Sequence, residues 1–142
     1  MSANAITLTD IRSADWSLKL GSIGQVVQGV ADVDQCVAII LTTPIGSDPL
    51  RPAFGCDIWR YLDHPISEAL PAIVRELTSA LTLWEPRITL LGITAVPVLD
   101  TTTQSGAHLD VSVTWQLKLS GGFNTGANPS ATTTVTLASA AL

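Results

Sequence analysis

Charge is scarce in this 142-residue chain: Asp, Glu, Lys and Arg make up 13% of it, about half the share usual in a soluble domain. Basic residues are the scarcer sign, 7 Lys+Arg against 12 Asp+Glu, for a net charge of −5. A nucleic-acid surface needs clustered basic side chains, and so does docking on anionic lipid. The composition argues against both partners, nucleic acid and membrane. Cysteine is nearly missing: Cys36 and Cys56 are too few for a disulfide scaffold and lack metal-ligand spacing, so a reducing cytoplasm is the expected compartment. Long apolar runs are missing too. Hydrophobic residues reach 46%, yet no window approaches the ~18–20 unbroken apolar residues of a transmembrane helix. The start, MSANAITLTDIRSADW, has no basic region and no apolar stretch, so no signal peptide is expected.

What is present reads as one domain with arms. Residues 1–14 are expected to form an extended N-terminal arm, 15–119 an α+β domain, and 120–142 a Thr/Ala-rich C-terminal arm with a strand at 132–137. Trp16, Leu18 and Leu20 alternate with polar residues, and Gly21 and Gly24 mark a turn into a second strand at Gln25–Gln28. A helix should begin near Ala31, capped by Asp32 or Asp34, with Val33, Cys36, Val37, Ile40 and Leu41 on one apolar face. Pro44 ends it. Residues 44–65 are rich in Pro and Gly but carry Phe54, Ile58, Trp59, Tyr61 and Leu62, so an ordered loop over the core is expected. Leu70, Ile73, Val74, Leu77, Ala80, Leu81 and Trp84 mark the strongest helix, with Pro71 in its first turn and Ser67 or Asp63 capping a preceding turn. Ile88–Val98 is almost continuously apolar, which predicts a central strand covered on both faces. After the polar turn Asp100–Gly106, Leu109–Leu119 alternates strictly and should pair with it as a half-buried strand. All charged residues lie at or before Lys118. The expected architecture is a two-layer α+β domain: an antiparallel or mixed sheet, two main helices packed on one face, and extended arms at both ends.

Catalytic chemistry finds little footing. There is no G-x-G-x-x-G, P-loop, H-E-x-x-H or C-x-x-C. His64 and His108 stand in unrelated contexts; Cys36 belongs to the apolar helix face, and Cys56 can be partly exposed. Glu68 and Glu76 are roughly 12 Å apart along a helix, too far for either glycosidase geometry. A cross-element pair of Glu85 with Asp57 or Asp63 stays open. No catalytic residue, metal site or cofactor is expected. The informative polar group is Glu85-Pro86-Arg87, where the strongest helix meets the most apolar strand. Poorly solvated charges there need partners: each other, or a second protein.

Trp84-Glu85-Pro86-Arg87-Ile88 after an amphipathic helix resembles the EPR signature of the contractile-tail baseplate wedge and sheath-initiator family of phages and type VI secretion baseplates. Gln35 in the first helix, Thr43-Pro44-Ile45-Gly46, Arg51-Pro52-Ala53-Phe54-Gly55 and the alternating strand Leu109–Leu119 follow that family's order over about residues 15–119. The uncharged tail departs from it, as does Ser47-Asp48 where an acidic residue commonly follows the glycine. The resemblance implies a structural protein of the virion tail baseplate, six copies each, assembled in the host cytoplasm. Its implied partners are the core helical bundle of the large wedge subunits, the first ring of tail sheath subunits, and hub or tube proteins. Glu85, Pro86 and Arg87 would bind the bundle, and Arg51, Phe54 and Gly55 would shape the adjoining loop. Thr132, Thr133, Thr134, Val135, Thr136 and Leu137 are expected to pair as a strand, on their own sheet edge or by exchange with sheath. The competing readings are a muramidase-type hydrolase acting on peptidoglycan, which the family's "lysozyme-like" label suggests, and a small adaptor with a peptide-binding edge. The low charge also predicts self-association of the isolated chain.

Overall fold

Two short strands, β1 (Trp16–Leu18) and β2 (Val26–Gln28), pair antiparallel as the alternation predicts. The structure, a computed structural model, describes residues 6–61, 64–99, 107–118 and 130–138. The expected packing of Leu62, the cap at Asp63 and the turns 100–106 and 120–129 lie outside the described residues. Part of the N-terminal arm is tied down: Thr7 bridges to Gln25, and the Val26 amide donates to the Ile6 carbonyl.

Helix α1 (Val30–Thr42) follows at once and buries Val33, Val37, Ile40 and Leu41. Its start corrects an expectation. Gly29, at φ 60°, occupies the cap position, and neither Asp32 nor Asp34 caps the helix. The left-handed φ turns the chain sharply from β2 into α1, which glycine alone does without strain. Both carboxylates are thereby left for tertiary partners. Gln35 clamps the hairpin onto the helix, donating to the Leu18 carbonyl and accepting from the Leu20 amide.

The Pro/Gly-rich segment is ordered over the core, with Cys56 and Ile58 buried. Cys56 is 1% exposed, not partly open as expected, and burial pushes its thiol up to about 11. Helix α2 (Ile66–Trp84) buries Ile73, Leu77, Ala80 and Leu81 of the predicted stripe, and Ala69 beside it. It begins earlier than the stripe does, because the Pro65 carbonyl already accepts from the Glu68 and Ala69 amides. Pro71 therefore lies inside the helix rather than in its first turn. It sits on the exposed face, where water can satisfy the freed carbonyl.

Strands β3 (Ile88–Leu99), β4 (Ala107–Leu117) and β5 (Ser130–Ala138) form one antiparallel sheet in that order. The helices lie on one face, α2 in contact with β3 and α1 with β5. This is the two-layer α+β arrangement expected. The central strand, however, is β4, not β3. Leu109, Val111, Val113 and Trp115 of β4 are buried, whereas Leu91 and Val96 of β3 are exposed. A register shift between Leu90 and Gly92 explains the misreading. Leu90 packs on the core before it and Ile93 and Ala95 after it, so the inward parity switches mid-strand. Alternation is lost, and a one-faced edge strand imitates a two-faced central one. The strand at 130–138 extends the expected 132–137 and lies on its own sheet edge, against β4.

Candidate interaction site

The junction between α2 and β3 is a tight turn. The Glu85 amide still donates to Leu81 at the helix end, and the Ile88 amide donates back to Glu85. Lys118 holds the turn from β4, its amide on the Arg87 carbonyl and its Nζ on the Pro86 carbonyl. These bonds aim Glu85 inward, where it is 3% exposed, and leave Arg87 half-buried above it.

Arg87 meets three carboxylates. Its Nε and Nη2 form a fork on Glu85 at 2.7 and 2.8 Å, and Nη1 reaches Asp32 Oδ2 at 3.2 Å and Asp15 Oδ1 at 3.1 Å. The bidentate geometry suits a planar guanidinium and would not suit lysine. The hydrogen bonds to Glu85 are the main reason the guanidinium is held charged even more firmly than usual. Cys36 Sγ lies 3.6 Å from Nη2, so it borders this cluster rather than joining the apolar core. Burial, and then the Asp32 charge, push its thiol up, which makes it a poor nucleophile. Glu85 and Arg87 thus pair within the chain, the first of the two alternatives left open by the sequence.

A half-open groove of about 300 Å³ runs beside the cluster, lined by Ile39, Ile40, Phe54 and Trp84 together with Cys36, Arg51, Glu85 and Arg87. Phe54 meets Trp84 edge-on, ring centroids 5.2 Å apart, and the Arg51 guanidinium stacks 4.5 Å from the Phe54 ring. The structure therefore gathers Arg51, Phe54, Glu85 and Arg87 around one groove. Pro86 is exposed on the turn and lines a different cleft with Lys118. Gly55 acts through its backbone. At φ 110° it passes so close to Thr43 that a Cβ would collide with the Thr43 carbonyl oxygen, which accepts from the Cys56 amide. This crossing holds the Arg51–Phe54 segment against the end of α1. Thr132 to Thr136 lie apart from the groove, on β5.

Sequence reasoning missed Asp15, Asp32 and Ile39. A signal for Asp32 existed: it extends the row Asp32, Cys36, Ile40 along the border of the apolar stripe, where a charge needs a buried partner. Asp15 carried none, being 72 residues from Arg87.

Residues 27–121 match the family model described as Baseplate wedge protein gp25. The chain belongs to this family. Baseplate protein W of Escherichia phage P2 is 32% identical over 93 residues, covering 63% of this chain and 81% of that protein. Among solved structures, the postcontracted baseplate of pyocin R2 contains a chain 33% identical at a TM-score of 0.58, covering 72% of this chain and 98% of that one. A protein of Geobacter sulfurreducens, provisionally designated a tail lysozyme, is 30% identical at a TM-score of 0.59, covering 81% of this chain and 98% of its own. The gp25 family match spans the groove and, of the Arg87 cluster, Asp32, Glu85 and Arg87; Asp15 lies before it and β5 after it.

Proposed function

We propose that this baseplate wedge protein is a non-catalytic assembly subunit with two separate docking surfaces. The groove beside Arg87 receives the core helical bundle of the large wedge subunits, and the outer edge of β5 pairs with a strand of the first tail sheath ring. The family places the chain in a multi-subunit tail baseplate; six copies per particle, hub and tube contacts, and assembly in the host cytoplasm belong to this same reading.

The observation that carries it is the convergence of Arg51, Phe54, Glu85 and Arg87 on one half-open, largely apolar groove. Such a groove suits the apolar side of a helix. Sheath pairing draws on the contrast between the two sheet edges. The β3 edge carries Pro97 and a register shift, both of which discourage strand addition. β5 has neither proline, glycine nor charge across nine residues, and its described pairing is with β4 alone. Hydrolysis finds no such support. The carboxylates that converge are all committed to one guanidinium, and two of them are buried away from any sugar.

One reconstitution separates the two surfaces. Ile39→Glu puts a charge in the groove on a side chain long enough to reach water. Wedge incorporation should fall at least tenfold, with the fold intact by circular dichroism. Thr134→Lys with Thr136→Lys charges the β5 edge. That variant should enter the wedge normally yet fail to nucleate sheath. Normal sheath growth on such baseplates would remove β5 from the model.

A further inference from the structure

The Arg87 cluster is short of positive charge. Asp15, Asp32 and Glu85 surround a single guanidinium. Asp32 is 3% exposed, and its Oδ1 has no hydrogen-bond partner among the described residues. A buried carboxylate oxygen without a donor is costly, and native interiors seldom keep one. If the cluster served only to close the junction, Glu85 alone would satisfy the fork of Arg87. Asp32 and the half-exposed Asp15 add negative charge for which the described residues offer no cation besides Arg87. Arg87, which bonds both of them, lines with Glu85 and Cys36 the half-open groove whose apolar wall is Ile39, Ile40, Phe54 and Trp84.

We infer that the segment docking here is amphipathic in a specific way: it lays an apolar side chain in the groove and donates a lysine or arginine to Asp32 and Asp15. This rests on the reading of the groove as the wedge-binding surface and adds the chemistry of its occupant. The incoming cation supplies the donor that Asp32 Oδ1 lacks and balances the excess negative charge. The apolar anchor excludes water from the new ion pairs, which strengthens them. The cluster thus trades stability of the free subunit for selectivity. A partner presenting a carboxylate or a bare apolar face would leave Asp32 Oδ1 buried without a donor and would be rejected.

The test uses the full chain and the purified complex of large wedge subunits from the same particle, with affinity measured from 0.1 to 0.5 M NaCl. Asp15→Asn, Asp32→Asn and Ile39→Glu are compared with the parent. Thermal melting of each free chain is recorded alongside. Parent binding should weaken steeply with salt. Both Asp→Asn variants should bind about tenfold or more weakly, with a flatter salt dependence. Asp32→Asn should melt at or above the parent temperature, because it discharges a buried carboxylate. If the Asp→Asn variants bind like the parent while Ile39→Glu does not, the groove reading stands and the basic occupant is overturned. If all three bind like the parent, both fall. Should Asp32→Asn fail to fold, Asp15→Asn decides alone, since that side chain is half in solvent and its melting shows whether the fold is kept.

Discussion

The α2–β3 junction and strand β5 are held in place by opposite chemistry. The junction concentrates charge: one guanidinium grips carboxylates from three parts of the chain. β5 carries no charge at all and is held by its ladder to β4 and by a buried relay. In that relay the Trp115 indole donates to the Thr133 hydroxyl at 2.9 Å, and Thr133 donates to Asp34 at 2.6 Å. The two regions share α1. Asp32 serves the junction and Asp34 serves the strand. Residues two apart on a helix point in nearly opposite directions, so one helical turn fastens both without bringing them together. The difference teaches how a small, charge-poor subunit can offer two interfaces. Directional ion pairs shape a groove, while the β5 edge is free of the charges that would repel an added strand.

The largest effect should come from cutting the junction. Arg87→Met keeps the aliphatic stem but strands Glu85 and Asp32 as buried, uncompensated charges. Removing one member of a buried pair costs about 3–5 kcal/mol, and the urea midpoint should fall accordingly. A loss below about 1 kcal/mol would mean that the carboxylates reach water or other partners on their own. The strand should be cheaper to loosen. Thr133→Val keeps shape and β-propensity but leaves the buried Trp115 N–H without an acceptor, at about 1–3 kcal/mol. Hydrogen exchange should then quicken along β5 and β4 before it changes at the junction. Equal exchange in both regions would break the contrast between them.

Much of this was legible from local pattern. The stripe from Leu70 to Trp84, the alternation of β4 and the threonine-rich β5 are each written in a single segment, where period and propensity decide the outcome. Glu85-Pro86-Arg87 also showed itself, since two charges at an apolar junction must find partners. Other features were hidden because they are settled across distance. The partners of Arg87 lie on α1 and ahead of β1, and no periodicity of β3 or α2 points to them. The edge position of β3 was masked by a parity switch at Leu91 that fills both faces of the pattern with apolar residues. Cys56 looked free to face solvent because its burial depends on the crossing of Gly55 over Thr43, a contact between two loop segments that leaves no mark on spacing.

The smallest effect expected is also the one that bears most on assembly. Arg87→Met and Thr133→Val have no hydrogen-bond partner in common. They meet through α1, whose Asp32 and Asp34 face different ways, and through β4, which carries Trp115 and runs into Lys118 at the junction. If the helix is a rigid strut, the double variant should lose the sum of the two single losses, with a coupling below about 0.5 kcal/mol. Urea midpoints measured with a stabilising osmolyte present throughout would keep a folded baseline for the weakest variant. A coupling well above that bound would show that α1 or β4 shifts when either attachment is cut, so that filling the groove would also reposition the β5 edge. Additivity means that the two surfaces act independently, and a wedge partner could then occupy the groove without altering the edge that β5 presents.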